Sequence, residues 1–280
     1  MEVKEVFLRQ ILNPTSIDLG EYVINPFKGC EYSCLYCYAQ FNKVAQKDGR
    51  PWGSYVDARI NAPLLLEKEV LYNKPKNVLL GSITECFQPL EAKYKITKKC
   101  LEVLNLYKIK FSILTRSPLV LDYIDLLKQG MCESIYFTIN SYDQKLKDLL
   151  EPKSPSFQSR IETVKKLKEN GINVTPYFSP VLPFVSDIKG AFNLITNIEE
   201  LDFEGLNFNL GNIENVVAKI TTVYPELKEK YDKLLNNNGF YNETWRQIKE
   251  DIQIESKFCK IRSDIYIHGR KSYFENKYAK

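Results

Sequence analysis

A single histidine, His268, serves the whole chain of 280 residues, and that scarcity closes off much metal and hydrolytic chemistry. No centre built on several imidazoles is possible. A serine or cysteine hydrolase would have only His268, which follows Ile265-Tyr-Ile with no nucleophile motif beside it, so it reads as a surface or interface residue. No run of about 18 uncharged apolar residues occurs, and Met1-Glu-Val-Lys-Glu-Val-Phe-Leu-Arg lacks the apolar stretch of a secretory leader. A cytoplasmic protein with no membrane partner is expected. Charge of one sign is nowhere concentrated: the net +4 is spread along the chain, which permits a nucleic-acid partner without arguing for one. A disulfide framework is missing too, because the seven cysteines are odd in number and three share one loop, a pattern suited to a reducing compartment.

Those three are Cys30, Cys34 and Cys37, in Gly29-Cys-Glu-Tyr-Ser-Cys-Leu-Tyr-Cys-Tyr38. Structural zinc takes four ligands, usually as two pairs, yet no second C-x2-C exists and Cys86, Cys100, Cys132 and Cys259 stand alone. A zinc-stabilised binding module, completed by a distant ligand, is the alternative that involves no catalysis. Ferredoxin patterns add a fourth cysteine nearby, and none lies between Cys37 and Cys86. A 4Fe-4S cluster held by Cys30, Cys34 and Cys37 has one iron without a protein ligand, and an open metal position is the mark of a catalytic site.

Short β-branched or aromatic runs alternate with helix-period stretches, which predicts β-α units and a parallel sheet. Strands are expected near Tyr22–Ile24, Val78–Ile83, Phe111–Thr115, Ser134–Ile139, Asn173–Phe178 and Leu206–Leu210. Asn61 with Pro63 reads as a helix start, and Gly171 as a helix end. Six such units predict an α/β fold of the partial (βα)6, TIM-like barrel kind. Its core would span 21–211, with an N-terminal arm or extra strand over 1–20 and a helical C-terminal extension over 212–280. Helices are expected at Tyr224–Leu235 and Thr244–Ile254, broken by Asn236-Asn-Asn-Gly239, with a short strand at Ile265–Ile267. The polar motifs fall after successive strands, at the carboxyl ends where ligands bind in parallel α/β folds.

The cluster loop and its flanks, Asn25-Pro-Phe-Lys-Gly-Cys-Glu-Tyr-Ser-Cys-Leu-Tyr-Cys-Tyr-Ala39, resemble the radical S-adenosylmethionine (SAM) enzymes, in the branch related to spore photoproduct lyase. Gly81-Ser-Ile-Thr-Glu-Cys-Phe-Gln-Pro-Leu-Glu91, Leu114-Thr-Arg-Ser117, Thr138-Ile-Asn-Ser141, Glu151 through Arg160 and Ser179 through Asp187 follow the branch's later motifs in order. Three departures stand out: Tyr32 replaces a common histidine, Glu85-Cys86 an aspartate-proline, and Phe184 a glycine.

The resemblance implies a radical SAM partial barrel whose open iron chelates S-adenosylmethionine and whose reduced cluster cleaves it to a 5′-deoxyadenosyl radical. A reductant such as flavodoxin or ferredoxin would supply the electron. It further implies that Tyr36 lies against the adenine, that Ser82 and Thr84 meet the methionyl moiety, that Asn140 and Ser141 bond the ribose, and that Arg116 holds the carboxylate. Arg160 reads as a solvated helix-start charge paired with Glu151 or Glu162. Cys86 stands near the place from which the lyase returns a hydrogen atom, which makes it a candidate donor; a buried inert thiol is the alternative. The substrate is open between a DNA lesion, as in a repair lyase, and a protein, peptide or small metabolite.

Overall fold

The computed structural model describes residues 1–43, 49–140, 143–195 and 197–269. Its strands are β1 (Glu2–Val6), β2 (Asn13–Pro14), β3 (Tyr22–Ile24), β4 (Phe27–Lys28), β5 (Tyr55–Arg59), β6 (Asn77–Leu80), β7 (Lys110–Thr115), β8 (Cys132–Ile139), β9 (Val174–Val181), β10 (Asp202–Gly205) and β11 (Ile265–Tyr266). Two compact units divide the chain: Met1–Ile139 with Glu151–Pro176, and Asn140–Leu150 with the chain from Tyr177 onward.

In the first unit β3, β6, β7 and β8 run parallel in that order, with Tyr22 opposite Val78 and Val78 opposite Phe111. Val78, Leu79 and Leu80 are wholly buried, although adjacent strand residues point to opposite faces, so the strand is covered on both sides as parallel strands are. Leu101 and Leu104 of the helix Ile96–Leu106, and Val164 and Leu167 of the helix Phe157–Glu169, are likewise fully buried. Short β2 closes one edge, antiparallel to β3. The start of β9 comes after Asn173, whose carbonyl accepts from Ile135 N of β8.

The N-terminal segment does form an extra strand, in a separate small sheet. β1 pairs parallel with β5, and β5 pairs antiparallel with β4. Asn61 precedes the helix Ala62–Asn73 as expected, but its side chain donates to and accepts from the Leu8 backbone at 2.9 Å each, clamping the N-terminal segment rather than capping the helix.

In the second unit β9 continues parallel to β10, with Phe178 opposite Phe203, and β10 runs parallel to β11. The sixth strand is Asp202–Gly205, not Leu206–Leu210. Leu206, Phe208 and Leu210 are buried, which explains their strand-like alternation, yet they lie in a turning segment. A Cβ on Gly205 would stand 2.6 Å from the Trp245 ring, so only glycine lets the strand end beneath it. The break at Asn236-Asn-Asn-Gly239 is shorter than predicted, because Asn237 caps Phe240 N at 2.9 Å and the helix Asn238–Cys259 takes Gly239 into its first turn. The predicted terminal strand is present as β11.

Asp202 opens β10 in a partly buried position beside Glu200 and Asp264. Burial first, then those carboxylates, push its pKa up to about 6, against the Asp264 amide that donates to it. A folded pKa above the unfolded value near 4 means the native state holds the proton more tightly, so this contribution is present in acid and is lost as pH rises through about 6. Wild-type stability, measured by urea denaturation, is therefore expected to fall by about 1 kcal/mol between pH 5 and pH 7 on account of this group, after discounting for its partial exposure. Asp202→Asn should flatten that part of the slope; an unchanged slope would remove Asp202 as its source.

Candidate functional site

The predicted cysteine loop leaves β4 through Gly29, whose φ is +82°. A Cβ there would stand 2.3 Å from the Tyr55 carbonyl of β5, so the chain passes over β5 only because residue 29 is glycine. Beyond this glycine the loop is secured to the segments after β6 and β7. Thr84 Oγ1 donates to the Gly29 carbonyl at 2.6 Å, Glu31 N donates to Gln88 Oε1 at 2.9 Å, and Leu90 N donates to Glu31 Oε1 at 2.6 Å. Tyr32, in the common histidine position, donates its hydroxyl to Ser117 Oγ at 2.9 Å. Asn25 Nδ2 donates to Ser82 Oγ at 3.3 Å, and the Tyr38 hydroxyl to the Ser82 carbonyl.

Cys30 and Cys34 are buried and Cys37 is half-buried. All three thiols are pushed up: burial acts first on each, and neighbouring loop sulfurs add to it at Cys30 and Cys37. Among the described residues no three His, Cys, Asp or Glu side chains stand together at the spacing that holds one ion. The donor set nonetheless fits a 4Fe-4S cluster. Three sulfurs within eight positions of one loop, two of them buried and one half-buried, are donors of the kind such a cluster takes, and the spacing supplies one ligand fewer than there are irons.

A buried charge network lies against Cys34. Arg116 Nη1 stands 2.8 Å from the Tyr36 hydroxyl, 3.5 Å from Cys34 Sγ and 3.3 Å from Glu151 Oε2. Tyr36 donates to Glu151 Oε1, and Arg160 pairs with Glu151 Oε2 while Arg160 Nε donates to the Pro155 carbonyl at 3.1 Å. Ser154 Oγ lies 3.4 Å from Cys34 Sγ. Arg160 does pair with Glu151, but as a buried side chain 2% exposed, not as a solvated helix-start charge. Tyr36 lies with its ring centroid 5.9 Å from the Arg116 guanidinium.

Sequence reasoning missed Glu85 as a structural carboxylate. It accepts from Phe87 N and Arg116 N at 3.0 Å and from Thr115 Oγ1 at 2.6 Å, fastening the end of β6 to the end of β7. Burial pushes its pKa up against those donors. Its place directly after Ser82-Ile-Thr84 was the available signal. Cys86 is wholly enclosed, its sulfur 3.4 Å from where a Cβ on Gly81 would stand, with Glu91 and Cys100 within electrostatic reach. Asn140 is buried and belongs to the second unit; Ser141 lies outside the described residues. His268, also in the second unit, is 20% exposed, with Nε2 3.1 Å from Glu204, which in turn accepts from Ser179 Oγ at 2.6 Å.

The profile of the radical SAM superfamily matches residues 24–194, a span that contains the cysteine loop, Glu85, Arg116, Glu151 and Arg160. The chain belongs to that superfamily. A protein of Methanocaldococcus jannaschii described as uncharacterized is 32% identical over 86% of this chain and 89% of its own length. Another, from Acidianus two-tailed virus, is 26% identical over 80% of this chain and 82% of its own. Among solved structures, a variant of spore photoproduct lyase superposes with a TM-score of 0.70 at 16% identity, covering 95% of this chain and 82% of that one. Spore photoproduct lyase complexed with dinucleoside spore photoproduct gives 0.68 at 15% with the same coverage.

The fold is thus the partial α/β barrel of the radical SAM enzymes, shared with spore photoproduct lyase. Membership implies a 4Fe-4S cluster and S-adenosylmethionine. Among the described residues no helix is long and apolar enough to cross a membrane.

Proposed function

We propose that this radical SAM enzyme reductively cleaves S-adenosylmethionine to a 5′-deoxyadenosyl radical that acts on a further substrate, at a cluster held by Cys30, Cys34 and Cys37. The observation that carries the reading is the loop itself: three thiols at C-x3-C-x2-C, two buried and one half-buried, on a loop bonded through Thr84, Gln88 and Ser117 to the strand ends where such folds bind ligands. When bound, the cluster supplies the electron and the open iron. The chain's residues hold the loop and exclude water. Thr84 acts through the loop carbonyl rather than on the methionyl group, because its hydroxyl is engaged by Gly29. Ser82 contributes its hydroxyl to the strand-end polar surface. Cys86 enters as a packed thiol, since its enclosure gives a substrate radical no approach to the sulfur. A low-potential one-electron donor such as flavodoxin or ferredoxin is the reductant.

One observation favours a nucleobase-bearing substrate. Phe184 has φ +66°, a backbone state strained for a bulky side chain, and is 43% exposed with Lys230 Nζ 4.8 Å above its ring. The ring packs against Tyr231 and Phe240 at centroid distances of 6.4 and 6.2 Å, and its exposed remainder beside a cation suits stacking with a base and contact with a phosphate.

With dithionite, the anaerobically loaded enzyme should release 5′-deoxyadenosine slowly from S-adenosylmethionine alone, as measured by chromatography. Ultraviolet-damaged DNA should raise the rate if nucleic acid is the substrate, and leave it unchanged if a peptide or metabolite is. No 5′-deoxyadenosine from a fully loaded, reduced cluster overturns the cleavage reading.

A further inference from the structure

We propose that Arg116 serves the cluster rather than the methionyl carboxylate: its guanidinium is the cationic donor to the Cys34 sulfur and, with Glu151 and Arg160, sets the one-electron reduction potential of the cluster. This rests on the cluster reading above, and concerns which of the three ligands the protein singles out.

The three cysteines are not equivalent. Cys30 meets a backbone donor at Glu85, and Cys37 meets backbone donors at Ala39 and Gln40. Cys34 instead faces two side-chain donors, Arg116 Nη1 at 3.5 Å and Ser154 Oγ at 3.4 Å. The cation cannot turn away, because the same nitrogen is held by the Tyr36 hydroxyl and Glu151 Oε2, and the Arg116 backbone N–H is held by Glu85 at 3.0 Å. Glu151, with no exposed side-chain surface, is shared between Arg116 and Arg160. Two guanidiniums and one carboxylate give the network a formal excess of one positive charge. Little water is present to screen it, since Arg116 is 16% exposed and Arg160 2%.

A cationic hydrogen bond to a ligating sulfur draws electron density from it and favours the state with one more electron, and such bonds are among the levers on cluster potentials. A guanidinium also suits this post better than an ammonium, because its charge is delocalised and stays in place when buried, so the nitrogen that meets sulfur, hydroxyl and carboxylate remains a cationic donor. The arrangement thus makes the cluster easier to reduce than its burial alone would, and it does so before S-adenosylmethionine arrives. The Nη1 end of the guanidinium is already engaged by the sulfur, the hydroxyl and the carboxylate, which turns that end to the cluster loop rather than to a cofactor carboxylate.

The test is a redox titration of the reconstituted, full-length enzyme without S-adenosylmethionine, monitored by electron paramagnetic resonance, with iron and sulfide measured on every sample. In Arg116→Met the ratio of reduced to oxidised cluster at a fixed applied potential should fall about tenfold, a shift of about 60 mV for a one-electron couple. Arg116→Lys should fall less, keeping the charge but losing its delocalisation. Glu151→Gln should move the opposite way, because it removes the negative charge and preserves the shape. A merely structural network would produce no shift of opposite sign. A fully loaded Arg116→Met with the wild-type potential overturns the proposal; if its affinity for S-adenosylmethionine alone falls, Arg116 is the carboxylate partner instead. Should Arg116→Met not take up iron, Arg116→Lys and Glu151→Gln decide: shifts of opposite sign support the proposal, and no shift or shifts of one sign overturn it. Failure of the wild-type protein to hold iron and sulfide would defeat the cluster reading itself, an outcome the metal analysis separates from the others.

Discussion

Replacing Cys30, Cys34 or Cys37 singly by alanine is expected to abolish iron–sulfur loading, where the wild-type chain, reconstituted anaerobically, takes up about four irons and four sulfides. The effect is close to all-or-none because the loop provides one thiolate fewer than the cluster has irons, so a further loss leaves two protein ligands. Cys86, Cys100, Cys132 and Cys259 stand apart from the loop in sequence, and none replaces a missing ligand without rebuilding the turn fastened at Gly29, Glu31 and Tyr32. Cys100→Ala and Cys132→Ala should accordingly keep full iron content. Iron and sulfide analysis with visible absorption gives the answer. Retention of the cluster by the triple alanine variant, or zinc as the native metal, would sink the assignment and revive the zinc-stabilised module.

The second large effect is on stability. Glu151→Leu should destabilise the metal-free protein by about 3–5 kcal/mol, because it strands two buried guanidiniums that now share one carboxylate. The penalty comes from the uncompensated cations more than from the lost attraction, which gives the prediction its signature. Adding Arg160→Met to Glu151→Leu should recover much of the loss, even though it removes yet another polar contact. Urea denaturation of the wild type, the single variant and the double variant measures this directly. A single variant within about 1 kcal/mol of wild type would mean that water reaches Arg116 and Arg160 and that the network is not desolvated as the structure shows.

Much of the fold was legible from local pattern. β3, β6, β7, β8 and β9 lie where runs of β-branched and aromatic residues predicted strands, since burial on both faces of a parallel strand leaves a continuous apolar signature. The sixth was displaced because Leu206, Phe208 and Leu210 are buried without being a strand, and burial is the property that alternation reports. The small sheet of β1, β5 and β4 was not foreseen beyond its first strand, as its pairs join residues distant in sequence, such as Glu2 with Tyr55 and Phe27 with Ala58.

The sequence by itself determined the superfamily and singled out the proposed ligands: a C-x3-C-x2-C loop in a chain with one histidine and no second cysteine pair is legible without a structure, because ligand type and spacing are covalent properties. The partners of those ligands were decided only by tertiary structure. Glu151 and Arg160 look in the sequence like a solvated pair at a helix start, and Thr84 and Arg116 like free strand-end polar groups; folding buries the first two and commits the others to Gly29 and to Cys34. Whether a charge is solvated or aimed at a sulfur depends on what packs over it from distant segments, and no local periodicity encodes that.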